Sequence, residues 1–420
     1  MNAKTNLARG ASPADTLIWN FKHLGQHELN GFGGLGEGIN LQLAPDGRRI
    51  LWVAHESAPK NFTGIDVGDP RNMKVVVQTE LPHKDVRSNS LDVVGNTLCV
   101  AYQTTNVGMK PAGIELYDIS VPEKPKLISH FDRSGPYSRG VHALWFVDGE
   151  YVHMSSGAAD FQPRDARDDQ CYMIVDVRNP SKPVEAGRWW APGTREGDAD
   201  PSPRRIEGGC EVGVNGFRAH NTNVFPERPD RAYVGYLDYG ALILDISDKS
   251  APKVISRWTN CPPNTGFTHT ALPLFSRGLM LVTDETIHDN AIDWPKLVWV
   301  LDIRVESSPL CIGTLPMPPF DTFAKRGGRF GAHNLHENHP TPTAWRSDNI
   351  VIGSFFNGGV RAYDLSNPYQ PQEIAYFVPG APKMSRAGAI QFNDVFVDDR
   401  GVVFAIDRFA GGVYALEMNF

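Results

Sequence analysis

Four histidines precede short apolar runs along the chain, and their side chains are well suited to bind a metal ion. They are His142, His220, His269 and His333, and the last lies in the His-rich stretch Gly331–His339. Neutral imidazole is the commonest protein ligand for zinc, copper, iron and nickel. The four side chains can bind one ion only if the fold brings them together. An internal repeat in the sequence indicates which secondary-structure elements carry them.

The repeat consists of an apolar run, an aspartate, an apolar residue, a short polar turn and a second apolar run. Its six aspartates are Asp66, Asp118, Asp176, Asp245, Asp302 and Asp364. An aspartate at a strand end accepts hydrogen bonds from backbone N–H groups of the next turn, so we interpret the six as structural. Two further strand-like runs separate successive motifs, and units of roughly 50–70 residues with four strands are typical of propeller blades.

The pattern gives six complete units and a seventh that lacks its fourth strand. The N-terminal run Thr16–Phe21 is a spare strand, and joining it to the last unit would close the ring and remove exposed edges. The sequence therefore predicts an all-β fold, a seven-bladed β-propeller with four-stranded blades and an N-terminal strand that closes the last blade. Residues 1–420 form one domain, with a flexible N-terminus at 1–15 and a long mouth loop at 192–216.

The aspartate motifs, such as Leu116–Ile119 and Ile174–Val177, resemble those of the LVIVD-repeat family of seven-bladed propellers. The resemblance extends from about Gly36 to Phe420. It implies a fold and leaves the function open, because one fold hosts many activities.

The first strand of each unit carries a polar residue at one aligned position. Because these strands line the central channel of a propeller, we expect the side chains to converge at one mouth. The aligned residues are Asn40, Asn89, His142, His220, His269, His333 and Gln391. We predict that the four histidines bind a divalent transition metal, with Fe²⁺ favoured and Cu or Zn as alternatives, and that the amides contact substrate. A polar ring that binds only water is the other interpretation.

Carboxylates and long loops are expected at the same mouth. Glu285, Glu56 and Asp407 end the second strands of their units and are candidates for orienting imidazoles or for acid–base catalysis; solvated carboxylates are the alternative. His288 lies in a mouth loop and is a candidate substrate contact. Aromatic residues in these loops favour a small apolar or aromatic substrate. They are Phe161, Trp294, Phe320, Phe323 and Phe330.

Four histidines on a propeller axis are similar in arrangement to two known groups. Carotenoid-cleavage oxygenases hold Fe(II) with four axial histidines backed by carboxylates, and selenium-binding proteins with methanethiol oxidase activity are metal-dependent propellers. This similarity implies an oxidoreductase or oxygenase. A metal-dependent hydrolase or lyase that uses a His/Glu acid–base, and a non-catalytic propeller that binds a protein partner, are the alternatives.

Composition narrows the class of protein. The net charge is −7 and the pI about 6.0, so no basic surface indicates nucleic acid or an anionic membrane. No apolar run approaches the roughly 20 residues of a membrane helix, and no secretory signal is visible. The five cysteines form no CxxC pair, which fits a reducing compartment, so we expect a cytoplasmic protein. P-loop, HExxH and GxSxG motifs are absent.

Overall fold

The computed structural model describes residues 12, 14–203, 206–207, 210–211 and 214–420, and in it seven antiparallel sheets form the predicted all-β, seven-bladed propeller. Among these residues the helical segments are Phe320–Phe323 and three single turns, Leu29–Gly31, Ala166–Asp168 and Phe275–Arg277. No helix in the described part of the chain is long and apolar enough to span a membrane. Most of the N-terminus at 1–15, and residues 204–205, 208–209 and 212–213 of the loop at 192–216, lie outside the described residues.

Blades 1 to 5 are each built from consecutive strands that run outward from the channel. Blade 1 contains Leu35–Leu43, Arg49–His55, Lys60–Asp66 and Lys74–Glu80. Blade 2 has a split inner strand, Val86–Arg87 and Leu91–Val94, then Thr97–Thr104, Gly113–Asp118 and Lys126–Asp132. Blade 3 contains Val141–Phe146, Tyr151–Ser156, Cys171–Asp176 and Val184–Trp189.

Blades 4 and 5 repeat this order, and two short ribbons lie in the connecting loops. Blade 4 contains Thr222–Phe225, Arg228–Gly235, Ala241–Asp245 and Lys253–Trp258. Blade 5 contains Thr268–Leu274, Leu279–Asp284, Val298–Asp302 and Leu310–Thr314. The ribbons pair Ser134–Gly135 with Ser138–Arg139, and Ile206–Glu207 with Cys210–Glu211.

Blades 6 and 7 combine the two ends of the chain. Blade 6 contains Ile350–Ser354, Val360–Asp364 and Gln372–Val378. Its inner edge is an irregular segment around His333, joined to Ile350–Ser354 by backbone hydrogen bonds such as His333 N–H to the Ser354 carbonyl. Blade 7 contains Phe392–Val397, Val402–Asp407 and Val413–Met418.

An N-terminal strand closes blade 7 as predicted, but its residues differ from those expected. Phe21–His27 pairs with Val413–Met418, whereas Leu17–Trp19, from the predicted strand Thr16–Phe21, pairs with Gln372–Val378 at the outer edge of blade 6. Asn20, with φ of 53°, lies between the two strands. Asparagine tolerates this left-handed conformation, so the chain turns here and one segment covers the edges of two neighbouring blades.

The six repeat aspartates have the local role inferred from the sequence. Each accepts a hydrogen bond from the backbone N–H two residues later, at 2.7–3.0 Å. These bonds fix the turn between the third and fourth strands of a blade. The second strands are deeply covered: every residue of Leu279–Asp284 and of Val402–Asp407 is buried. This packing holds the inner strands and their side chains rigidly around the channel.

Candidate metal centre

Bulges at the start of the inner strands bring polar side chains to the axis. The strand register shifts between Val141 and Leu144 in blade 3 and between Thr268 and Thr270 in blade 5, at the positions of His142 and His269. A β-bulge inserts extra residues, bends the strand and re-aims a side chain. The same irregularity occurs between Leu35 and Ile39 in blade 1, around Glu37.

The four predicted histidines form one continuous arc at the channel. The ring centroids of His142 and His220 are 4.4 Å apart, those of His220 and His269 are 4.0 Å apart, and those of His269 and His333 are 4.6 Å apart. Residues that are far apart in sequence and lie on four neighbouring blades are thus in direct contact. The structure therefore brings all four together, as expected from their alignment.

Two carboxylates complete the cluster. Glu37 Oε2 lies 3.4 Å from His269 Nε2, and Glu285 Oε1 lies 3.5 Å from His333 Nε2. Two groups of three have ligand atoms within 4.8 Å of one another: Glu37, His220 and His269; and His269, Glu285 and His333. Each group has two imidazoles and one carboxylate, and His269 belongs to both.

The inner nitrogens of His269 and His333 lack hydrogen-bond partners. Both Nε2 atoms are buried and make no hydrogen bond to any residue that the structure describes, and the same holds for Glu37 Oε2. The outer nitrogens are held: His333 Nδ1 pairs with the Asn393 carbonyl at 2.6 Å, and His269 Nδ1 with Thr270 Oγ1 at 2.8 Å. Fixing Nδ1 while Nε2 remains available is typical of metal-binding histidines. A buried polar atom without a partner costs about 1–3 kcal/mol, and a bound ion would relieve this cost.

Burial keeps most of these imidazoles neutral, which is the form that binds a metal. It lowers the pKa of His220 to about 4 and that of His333 to about 3. At His269 burial also acts to lower the pKa, but the contact with Glu37 and the charge of Glu285 outweigh it and raise the pKa. Burial would raise the pKa of Glu285, yet the charges of His333 and Arg329 lower it to about 2. The carboxylate therefore stays ionised at neutral pH.

His142 lies outside both three-residue groups. Its Nε2 is 2.8 Å from His220 Nε2, and its Nδ1 is 3.1 Å from the guanidinium of Arg87. The same Nδ1 also lies 3.0 Å from Gln103 Oε1, so it has a donor and an acceptor beside it. His142 thus contacts His220 and belongs to neither group of three.

Of the other carboxylates predicted at the mouth, Glu285 alone belongs to the cluster. Glu56 Oε1 accepts from Arg87 at 2.8 Å and from Arg408 at 2.6 Å, so it is adjacent to the histidines without touching them. Asp407 lies outside the cluster. Its buried carboxylate accepts from the backbone N–H groups of four residues, which fixes a turn of blade 7.

Among the predicted substrate contacts, none lines the cavity beside the histidines. Asn40 lies farther down the channel, where its amide contacts Asp92 and His339. Gln391 accepts from the backbone N–H of Arg329 at 2.8 Å and so holds the loop that carries this arginine. His288 is exposed.

Asn89 acts through its backbone. Its carbonyl accepts from the N–H of Glu37 at 2.6 Å and from that of Gly38 at 3.0 Å. Its backbone therefore positions Glu37, while its side-chain amide is buried with no hydrogen bond to any described residue.

Glu37, beside His269, and Asn393, whose carbonyl pairs with His333 Nδ1, are positions that the alignment did not select. Both lie in bulges, so counting from strand starts selected Asn40 and Gln391 instead. A signal for Glu37 was present in its neighbours. A Cβ on Gly36 would lie 2.5 Å from the Asn89 carbonyl oxygen, and one on Gly38 would lie 2.3 Å from the Leu91 nitrogen, so only glycine allows this close approach of two blades.

A cavity of about 150 Å³ opens beside the histidines at the channel mouth. Five arginines line it, with Phe267 and Ile287 as the large apolar side chains. The lining does not support the expectation of an apolar or aromatic substrate. The loop aromatics named for it pack elsewhere: Phe161 against Trp190, and Trp294, Phe320 and Phe323 against Phe330.

Comparisons with known proteins support the fold. The LVIVD repeat model matches residues 166–190 and 230–260, in blades 3 and 4. The Cps50 (Swd1) β-propeller domain of Myceliophteria thermophila is 12% identical, with a TM-score of 0.53 over 92% of this chain and 97% of that one. A protein from Lactobacillus plantarum is 11% identical, with a TM-score of 0.51 over 80% of this chain and 87% of its own.

The LVIVD resemblance is thus confirmed over those two segments, and the seven-bladed fold over most of the chain. At these identities the two structures inform the fold alone. No curated protein matches the sequence significantly. The similarity to carotenoid-cleavage oxygenases and selenium-binding proteins stays a prediction.

Proposed function

We propose that this protein is a metal-dependent enzyme that acts on a small molecule at the mouth of the propeller channel. The observation that carries the proposal is the pair of buried Nε2 atoms, on His269 and His333, that have no hydrogen-bond partner among the described residues. They lie beside the carboxylates of Glu37 and Glu285 at 3.4–3.5 Å. A fixed set of imidazole nitrogens and carboxylate oxygens with a cavity next to it matches a catalytic metal site with an open position.

The ligand types favour Fe²⁺, with Zn²⁺ as the alternative. Two histidines and one carboxylate form the ligand set of non-haem Fe(II) oxygenases, and the same set also occurs in zinc hydrolases. Both three-residue groups have this composition. Bound here, Fe²⁺ would activate O₂, whereas Zn²⁺ would activate water. We favour the oxidative reaction, and the hydrolase or lyase is the second candidate.

The protein side chains would divide the remaining tasks. His269 would hold the ion, either with His220 and Glu37 or with His333 and Glu285. Arg329 donates to Glu285 Oε1 at 2.7 Å and fixes the orientation of that carboxylate. Since the cluster has two carboxylates, one can bind the ion while the other moves a proton to or from substrate.

Metal content of the purified protein tests the proposal. We expect about one ion per chain after expression with iron, copper and zinc supplied, and near-complete loss in His269→Ala or His333→Ala. His288→Ala is the matched control, because this exposed histidine lies in a mouth loop outside the cluster. Circular dichroism and thermal melting establish that the variants stay folded.

Fewer than about 0.3 ions per chain in the wild type would overturn the metal site and favour the protein-binding alternative. The identity of the bound ion and consumption of O₂ with candidate substrates then separate oxidative from hydrolytic chemistry. Turnover that continues unchanged without O₂ would exclude the oxygenase.

A further inference from the structure

The arginines around the mouth cavity outnumber the carboxylates that neutralise them. The five are Arg87, Arg139, Arg218, Arg329 and Arg408. Glu37 and Glu285 face the same cavity, and Glu56 and Asp169 pair with arginines from behind. Five cationic groups thus meet four anionic ones, and a divalent ion at the proposed centre would add two further positive charges. Such a concave region attracts anions.

Three of these arginines use their donors to hold the metal cluster. Arg87 donates to Glu56, to Gln103 and to His142. Arg408 bonds Glu56, and Arg329 bonds Glu285. Their donors are directed at protein acceptors, so we assign them to positioning the cluster.

Arg139 and Arg218 are arranged differently, because one carboxylate holds both. Arg139 donates from Nε to Asp169 Oδ2 at 2.7 Å, and Arg218 donates from one terminal nitrogen to Asp169 Oδ1 at 3.1 Å. Within the described residues, each guanidinium has two nitrogens with no hydrogen bond to protein. A rigid pair of guanidiniums with unused N–H groups is the usual means of binding carboxylate or phosphate.

The side chain of Gln170 independently indicates that a ligand binds beside Arg139 and Arg218. Its side chain lines the same cavity and is 2% exposed, yet Nε2 has no hydrogen-bond partner in the part of the chain that the structure describes. A buried amide donor without an acceptor is costly. An oxygen atom of a bound anion would satisfy it.

We propose that Arg139, Gln170 and Arg218 form an anion subsite that holds a carboxylate or phosphate group of the substrate next to the metal centre. That the occupant is a substrate rests on the proposed function; that the subsite binds an anion does not. Phe267 and Ile287, on the same cavity, would contact the carbon skeleton. The substrate class is therefore a small organic anion.

Calorimetric titration of inorganic phosphate and of acetate into the metal-free protein tests the subsite. We expect saturable binding of at least one of them at one site per chain. Arg218→Gln and Gln170→Leu should each weaken that binding about 10-fold or more, since each removes a donor to a charged acceptor. Arg218→Lys keeps the charge but loses the two-pronged geometry, so it should recover only part of the affinity.

Arg386→Gln is the matched control. This exposed arginine lies in a mouth loop against Phe409, outside the cavity, and its loss changes the net charge equally. The subsite is excluded if neither anion binds the wild type saturably, or if Arg386→Gln weakens binding as much as Arg218→Gln. Because the titration uses metal-free protein, its outcome does not depend on whether the protein binds a metal ion. Anion binding would support the subsite even if no metal were found, and absence of anion binding would not argue against the metal centre. Thermal melting identifies variants that misfold, and for these Arg139→Gln replaces Arg218→Gln.

Discussion

At the scale of single residues, the chemistry of the centre depends on a glutamate at a position that the strand alignment did not select. Glu37 lies within 3.4 Å of His269 Nε2 and 3.8 Å of His333 Nε2, and one of its oxygens has no hydrogen bond among the described residues. A carboxylate placed between two imidazoles is positioned to bind the proposed metal ion or to orient a molecule bound to it.

We predict that Glu37→Gln lowers metal affinity by about 10-fold to 100-fold while the propeller stays folded, because an amide is a neutral and weaker ligand. Competition with a chelator measures the change. Glu337→Gln is the matched control: Glu337 is half-buried in the same channel, pairs with Asn221 at 2.8 Å and belongs to neither ligand group. If wild type and Glu37→Gln bound the metal with equal affinity, Glu37 would not be a metal ligand.

His142 provides a second prediction at this scale. Because it contacts His220 and lies outside both ligand groups, His142→Ala should reduce metal occupancy far less than His269→Ala, by less than about 10-fold in affinity. The same chelator titration compares the two variants. Equal loss in both would show that His142 binds the ion directly.

At the scale of elements, the bulged starts of the inner strands decide which side chains reach the axis. The repeat aspartates, the seven units and the convergence of four histidines were predictable, because they depend on local turn chemistry and on periodicity. The alignment selected Asn40 and Gln391, whereas Glu37 and Asn393 contact the histidines, because a bulge shifts the register by residues that an alternating pattern does not mark. Long-range contacts such as Arg139 with Asp169 leave no local trace in the sequence.

The close approach at Gly36 leads to a prediction about an element. Gly36→Ala would place a Cβ 2.5 Å from the Asn89 carbonyl oxygen, so blades 1 and 2 must separate and Glu37 must move. We expect a loss of stability of about 1–3 kcal/mol together with weaker metal binding. Gly313→Ala is the control, since its added Cβ meets only the Pro368 oxygen at 3.7 Å. Thermal melting with and without metal measures both effects, and unchanged melting of Gly36→Ala would contradict this account.

At the scale of the whole molecule, buried neutral histidines make stability depend on pH. Burial lowers the pKa of His153 to about 3. In the unfolded chain this histidine takes up a proton with an ordinary pKa of about 6.5, whereas in the folded chain it stays neutral until a much lower pH. The free energy of unfolding therefore decreases as the pH falls below about 6.5, and this group does not change it at higher pH. Buried acids such as Asp407, whose pKa is raised by burial, act in the opposite direction.

We therefore predict that the free energy of unfolding decreases less in His153→Gln than in wild type between pH 7 and pH 5, by up to about 2 kcal/mol. Urea unfolding at the two pH values measures the difference, and His288→Gln, at an exposed position, should follow the wild type. The prediction fails if all three proteins lose equal stability.

The pairing of the N-terminal segment with strands near the C-terminus has a consequence for biosynthesis. Phe21–His27 leaves the ribosome well before its partner Val413–Met418 is made. Until then this strand has an unpaired edge, a state in which chains readily associate with each other or with chaperones. Blades 1 to 5 can form as they are synthesised, whereas the ring closes only after Val413–Met418 has been made.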